Sequence, residues 1–119
     1  MSTTLQAFLE RVKRGEPVEF QDTLAVIGEH YHYRPTAFGN GLGERSLRNE
    51  AGTNEGSCRI FAFARLNGLS EAQTLALFGA YYRDDVLPHP EGHDHRNIRH
   101  FMQDGWAGIH FEGEALKPR

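Results

Sequence analysis

The segment Cys58-Arg59-Ile60-Phe61-Ala62-Phe63-Ala64-Arg65-Leu66 constrains the fold more than any other. It lies within a helix expected over 57–67, ended by Asn67-Gly68, and only Arg59 and Arg65 interrupt its apolar surface. A helix that is apolar nearly all round must be wrapped by other elements, so this one belongs at the centre of the fold. The chain has to supply those wrapping elements from 119 residues, the commonest size of one domain.

Helical periodicity supplies most of them. Leu5, Phe8, Leu9 and Val12 follow the i, i+3, i+4, i+7 pattern of an amphipathic helix over 4–14. Thr3 or Thr4 would cap it, and Gly15 with Pro17 would end it. Phe20, Leu24, Ile27 and Tyr31 repeat the pattern over 20–31. Ser70-Glu71-Ala72-Gln73 is a capping box that opens a fourth helix running to about Tyr82. Asp94 would cap a fifth helix over 95–104, with Ile98, Phe101 and Met102 inward. Gly105 would close it and set Trp106 against Phe101.

The stretch 34–56 breaks this rhythm with Gly39-Asn40-Gly41-Leu42-Gly43 and Gly52-Thr53-Asn54-Glu55-Gly56. Ser46-Leu47-Arg48 reads as a short strand within it, and Ile109-His110-Phe111 as a terminal strand that pairs with part of it. The expected architecture is therefore mainly α: one domain over 1–119 of about five helices, all-α at its core, with at most a small β-hairpin or short strands.

Charge and composition remove several function classes. The net charge is −3, so the basic surplus of an electrostatic nucleic-acid binder is missing. No apolar run approaches the ~20 residues of a membrane span. Met1-Ser2-Thr3-Thr4-Leu5 lacks the charged and apolar regions of a Sec signal peptide. One cysteine cannot form an internal disulfide, and a reducing cytosol suits that composition. Nothing in the sequence calls for a cofactor.

Three groups of residues carry possible chemistry. Cys58 sits in the first turn of the central helix, where the macrodipole favours a thiolate nucleophile. A small cysteine-dependent hydrolase or acyltransferase would need a histidine base, and Asn54, Ser57 and free helix N–H groups would form an oxyanion site. The plainer alternative is a buried Cys58 whose helix is capped by Asn54 or Ser57. His89-Pro90-Glu91-Gly92-His93-Asp94-His95 could hold a divalent ion through His93 and His95, although the run matches no defined zinc spacing. Glu29-His30-Tyr31-His32-Tyr33-Arg34 could line a pocket. Asp84-Asp85, at a helix C-terminus, needs a cation such as Arg83, Arg96 or Arg99.

The ordered pattern of residues resembles the HopJ type III effector family over nearly the whole chain. Phe20-x-Asp22-Thr23, Tyr31-x-Tyr33-x-Pro35-Thr36-Ala37-Phe38, Asn40-Gly41 and Asn49-Glu50-Ala51-Gly52 carry its first half. Asn54-x-Gly56-Ser57-Cys58-Arg59-Ile60-Phe61-Ala62-Phe63 is its core. Thr74-Leu75-x-x-Phe78-Gly79, Tyr81-Tyr82-Arg83-x-Asp85-Val86-Leu87, His95-x-Asn97-Ile98-Arg99-x-Phe101-Met102 and Gly105-Trp106-x-Gly108-Ile109-x-Phe111 complete it. Residues 42–48 are longer than the link expected there, which implies an extended hairpin or loop. His93 and His100 fall where other polar residues are expected, which weakens the metal reading.

The resemblance implies a bacterial protein, delivered by type III secretion into a host cell in some members, and it carries over no enzyme activity, cofactor or catalytic residue. It leaves two readings from different classes. One is a non-enzymatic binding domain for a protein or small-molecule partner (a host protein if secreted), with Asn54, Ser57, Arg99 and Tyr33 as binding residues. The other is a cysteine-dependent enzyme using Cys58, His95 and Asn97. The first is favoured, and the site is expected where the Gly56-Ser57-Cys58 turn meets the loop before His95.

Overall fold

A computed structural model describes residues 2–119, with side chains from Leu5 onward. The expected capping by Thr3 or Thr4 therefore lies outside the described side chains. Five α-helices form the frame: α1 (Ser2–Lys13), α2 (Phe20–His30), α3 (Glu55–Leu66), α4 (Glu71–Ala76) and α5 (Arg96–Asp104). A π-helical turn (Tyr81–Val86) lies between α4 and α5.

The protein is mainly α but not all-α, because five three-residue strands make two small sheets. β2 (Phe38–Asn40) pairs antiparallel with both β3 (Leu47–Asn49) and β4 (Ile109–Phe111). The expected pairing of Ile109-His110-Phe111 with the irregular stretch is thus present, with Phe38 opposite Phe111 and Asn40 opposite Ile109. The extension at 42–48 forms the turn of the β2–β3 hairpin and the first two residues of β3, and Gly43–Arg45 make a 3-10 turn within it. β1 (Tyr31–Tyr33) pairs with β5 (Leu116–Pro118), a ladder absent from the helix-based expectation. The reason is local: α2 stops at His30, and Tyr31 is already extended at φ −137°.

α3 is the central helix. Cys58, Ile60, Phe61, Ala62, Phe63 and Ala64 are all buried. Its two phenylalanines divide the core between them. Phe61 meets Phe101 at 4.9 Å, Phe78 at 5.6 Å and Phe38 at 6.0 Å between ring centroids. Phe63 meets Tyr31 at 5.8 Å and Phe8 at 6.2 Å, and so holds α1 and the start of β1. Edge-on and tilted contacts of this kind add to the burial of the rings themselves.

The end of α4, the start of α5 and the direction of Met102 differ from expectation. α4 carries the expected Ser70–Gln73 capping box but ends at Ala76 rather than near Tyr82. Gly79 causes this break, with φ +61°, where a Cβ would stand 2.7 Å from the Phe20 backbone nitrogen. The chain passes that close to the start of α2 only at a glycine. α5 starts at Arg96 with His95, not Asp94, in the capping position. The Asp94 carboxylate turns instead to Arg99, at 2.6 Å. Met102, expected inward, is 44% exposed, while Ile98 and Phe101 are buried. Trp106 packs on Phe101 as expected, with centroids 5.0 Å apart.

Candidate functional site

The first turns of α3 and α5 open onto one cleft. Asn54 stands at the head of α3 and His95 at the head of α5, and both are left-handed, at φ 49° and 48°. They are the only non-glycine residues with positive φ among the described residues. Asparagine and histidine tolerate that region better than most, but such backbones persist only where their surroundings hold them. Neither side chain caps its helix. The first N–H groups of both helices are therefore left without an intrahelical or capping acceptor.

Four asparagines hold the two heads together. Asn97 Oδ1 accepts from Asn40 Nδ2 at 3.0 Å and Asn49 Nδ2 at 3.1 Å, and Asn97 Nδ2 donates to Asn49 Oδ1 at 2.9 Å. Asn54 Nδ2 donates to the same Asn49 oxygen at 2.7 Å. Asn40 adds a bond to the Asn97 backbone carbonyl at 2.8 Å. Asn40, Asn49 and Asn97 are buried, so the network ties β2, β3 and α5 through buried amide contacts, and the exposed Asn54 joins it to the head of α3. The expected capping role of Asn54 is replaced by this bond, because its left-handed backbone turns the amide toward Asn49.

The cleft has a volume of about 340 Å³. Phe20, Phe78 and Ile98 give it an apolar wall, and Asn54, Ser57, His95 and Arg96 a polar one. Tyr81 stands at its mouth, 5.0 Å from the Phe20 ring and 5.2 Å from the His95 ring. Gly56 makes room for this: a Cβ there would lie 2.7 Å from Phe20 Cζ. The His95 Nε2 atom pairs with Asp85 Oδ2 at 3.0 Å, so His95, not an arginine, answers the Asp84-Asp85 pair. Arg83 is drawn away to Glu19 at 2.8 Å.

Cys58 faces away from this cleft. Its side chain is buried, and its thiol donates to the Thr36 carbonyl at 3.5 Å. Burial pushes the thiol above its ordinary pKa, opposite to what a nucleophile needs. No histidine hydrogen-bonds to it among the described residues. Tyr33 lies on that same side of α3, donating to Glu55 at 3.0 Å under the Arg59 guanidinium, 4.2 Å from the ring centre. Burial and the Glu55 contact raise its hydroxyl well above the usual tyrosine range.

Arg99 is a structural clamp. It donates to the backbone carbonyls of Asp94 at 2.7 Å and His89 at 2.7 Å as well as to the Asp94 carboxylate. Among the described residues no three His, Cys, Asp or Glu side chains gather as a metal-ligand group. His93 and His95 have separate surroundings, the first on a neighbouring groove and the second on Asp85.

Of the residues singled out in sequence, the cleft thus unites Asn54, Ser57, His95 and Asn97, and leaves Cys58, Tyr33, Arg99 and His93 elsewhere. Periodicity missed Asn40, Asn49, Phe20, Phe78 and Tyr81. A usable signal existed for the first two. Asparagine is a poor strand former, so its presence beside Phe38 and Leu47 marks a position kept for hydrogen bonding.

A small α-rich domain with an asparagine-braced cleft between two helix heads is the class this geometry defines. The family model for the HopJ type III effector protein matches residues 5–116, and the chain belongs to that family. The crystal structure of an unknown-function protein, VPA0580, shares the fold at a TM-score of 0.90 with 50% identity, over 96% of this chain and 92% of that one. None of the curated proteins compared with the chain matches it. Among the described residues no helix is long and apolar enough to cross a membrane.

Proposed function

We propose that the protein is a binding domain rather than an enzyme, and that the cleft between α3 and α5 receives an acidic group carried on an apolar or aromatic body. The observation that carries this reading is the cleft itself, in which Asn54, Ser57 and Arg96 face the aromatic surface of Phe20, Phe78 and Tyr81. A concave, largely apolar site with a few convergent polar groups is the usual form of a small-ligand pocket. The free N–H groups of two helix heads and the Arg96 guanidinium favour negative charge at its polar end. Its apolar wall favours a ring or branched chain. The buried, base-free Cys58 gives a thiol mechanism no footing.

Phenyl phosphate joins both chemistries and serves as the probe. Calorimetric titration is expected to show saturable 1:1 binding that is weakened in Tyr81→Ala and Arg96→Ala. Absence of saturable heat, or equal binding by both variants, would remove the reading. Delivery through a type III apparatus belongs to the same proposal and rests on the family description alone. A reporter fused to residues 1–30 is expected to reach host cells from secretion-competent bacteria; its retention would make the protein a resident of the bacterial cytoplasm.

A further inference from the structure

Arg96 also lines a second, larger groove of about 510 Å³ on the surface of α5. Leu87, at the end of the π-helical turn, and Met102, on α5, stand on its walls with Val86 and Pro90. Leu87 is 49% exposed and Met102 44% exposed. Only five large apolar side chains are this exposed among the described residues, and two of them share this groove. A paired exposure of this kind marks an interaction surface where a single exposed side chain would not. Methionine is suited to such a wall because its flexible thioether adapts to the side chain it meets.

The titratable side chains that line the groove are all basic: His93, Arg96, Arg99 and His100 stand there beside the neutral Gln103, and no carboxylate lines it. Three of the carboxylates around it are occupied: Asp85 by His95, Asp94 by Arg99, and Asp104 by Arg45 at 2.8 Å. Asp84 and Glu91 lie on neighbouring stretches of the chain but not in the wall. Arg96 itself makes no ion pair or side-chain hydrogen bond among the described residues. In a chain of net charge −3 this is a local reversal of sign.

The groove is also built in advance. Arg99 holds the 88–94 loop by the carbonyls of His89 and Asp94, and Gly92 lies so close that a Cβ would stand 2.5 Å from the Arg99 Nη2 atom. A wall fixed this way loses little freedom when a partner docks.

We propose that this groove docks an acidic segment of a partner protein, with a large apolar side chain of that segment between Leu87 and Met102 and its carboxylates on Arg96 and the flanking histidines. Complementary charge steers such a partner and sets its orientation, and the apolar anchor holds it. The groove shares Arg96 alone with the α3–α5 cleft, so Met102, which lines only the groove, and Tyr81, which lines only the cleft, tell the two assignments apart.

The test is selection of a phage-displayed random dodecapeptide library on the full chain. Enriched peptides are expected to be acidic with one or two Leu, Phe, Ile or Met residues. Their synthetic forms are expected to bind at least about tenfold more weakly to Met102→Glu and to Arg96→Glu, and more weakly as salt rises from about 50 to 300 mM. Both side chains are exposed, and matched thermal melts verify folding. Met102→Glu should leave phenyl phosphate binding unchanged.

No enrichment, enrichment of basic or uncharged peptides, or binding indifferent to both substitutions would overturn the proposal. So would a dimer in sedimentation that Met102→Glu dissociates, or groove-dependent binding to phosphatidylserine vesicles, which would assign the groove to a second copy or to a membrane.

Discussion

Asn97 shows how one side chain can carry several elements. Its amide makes three of the bonds that join β2, β3 and α5, all of them buried. Asn97→Ala leaves the amides of Asn40 and Asn49 short of partners, and each stranded buried group costs about 1–3 kcal/mol. The expected loss is roughly 2–4 kcal/mol in urea unfolding, with a fall in midpoint at constant slope. A loss below about 1 kcal/mol would mean the network is not shut off from water. Asn40 Oδ1 is the one buried network acceptor left without a partner among the described residues. Cys58 makes the opposite case. Its position in a first helical turn was plain from sequence, but its direction was not, because a helix head has an inner and an outer side. Iodoacetamide should alkylate it more than about a hundredfold slower in the native protein than in urea, since labelling requires local opening. Rapid native labelling would restore the cysteine enzyme.

The helices were legible where apolar spacing and punctuation agree. α2, α3 and α5 lie within two residues of the expected bounds, and the Ser70 capping box is present atom for atom. Strands of three residues leave no such trace: Tyr31, the first residue of β1, read as the last residue of a helix because it continues that helix's apolar face. The break after α4 was hidden for a different reason. Gly79 in a helical pattern is tolerable on its own, and only the passage of α2 beside it makes it obligatory. Gly79→Ala forces a side chain into a left-handed position against backbone atoms, and is expected to cost at least about 2 kcal/mol. Gly56→Ala meets only the far end of the Phe20 ring, which can move. It should cost less than about 1 kcal/mol yet displace Phe20 into the cleft and weaken phenyl phosphate binding. Equal binding in Gly56→Ala would show that the aromatic wall does not matter.

Across the whole molecule, carboxylate–guanidinium pairs join parts that the core does not. Asp104 at the end of α5 holds Arg45 and the Leu42 backbone N–H of the hairpin turn, and these hold its carboxyl below the usual range. Arg48 does the same for Glu112, as Arg99 does for Asp94. Because the folded pKa values are lowered, the unfolded chain takes up protons first as pH falls. The stability these pairs add is present above about pH 4, the ordinary carboxylate value, and is lost as pH drops through the lowered ones. Urea midpoints should therefore fall below about pH 4, and Asp104→Asn should flatten that decline. An unchanged acid profile in Asp104→Asn would remove Asp104 from the account. The meeting of the Gly56-Ser57-Cys58 turn with the start of α5 was legible at this scale, since Ser57 and His95 line one cleft, but Cys58, Tyr33 and Arg99 do not join them there. The chemistry of the cleft was not legible, because the aromatic wall comes from α2 and the π-helical turn, far away in sequence. The most direct test of the central claim is an amide-resolved NMR titration with phenyl phosphate. Binding at the cleft predicts saturable shifts centred on residues 54–57 and 95–98. Shifts centred instead on Tyr33, Thr36 and Cys58, or none that saturate, would contradict it.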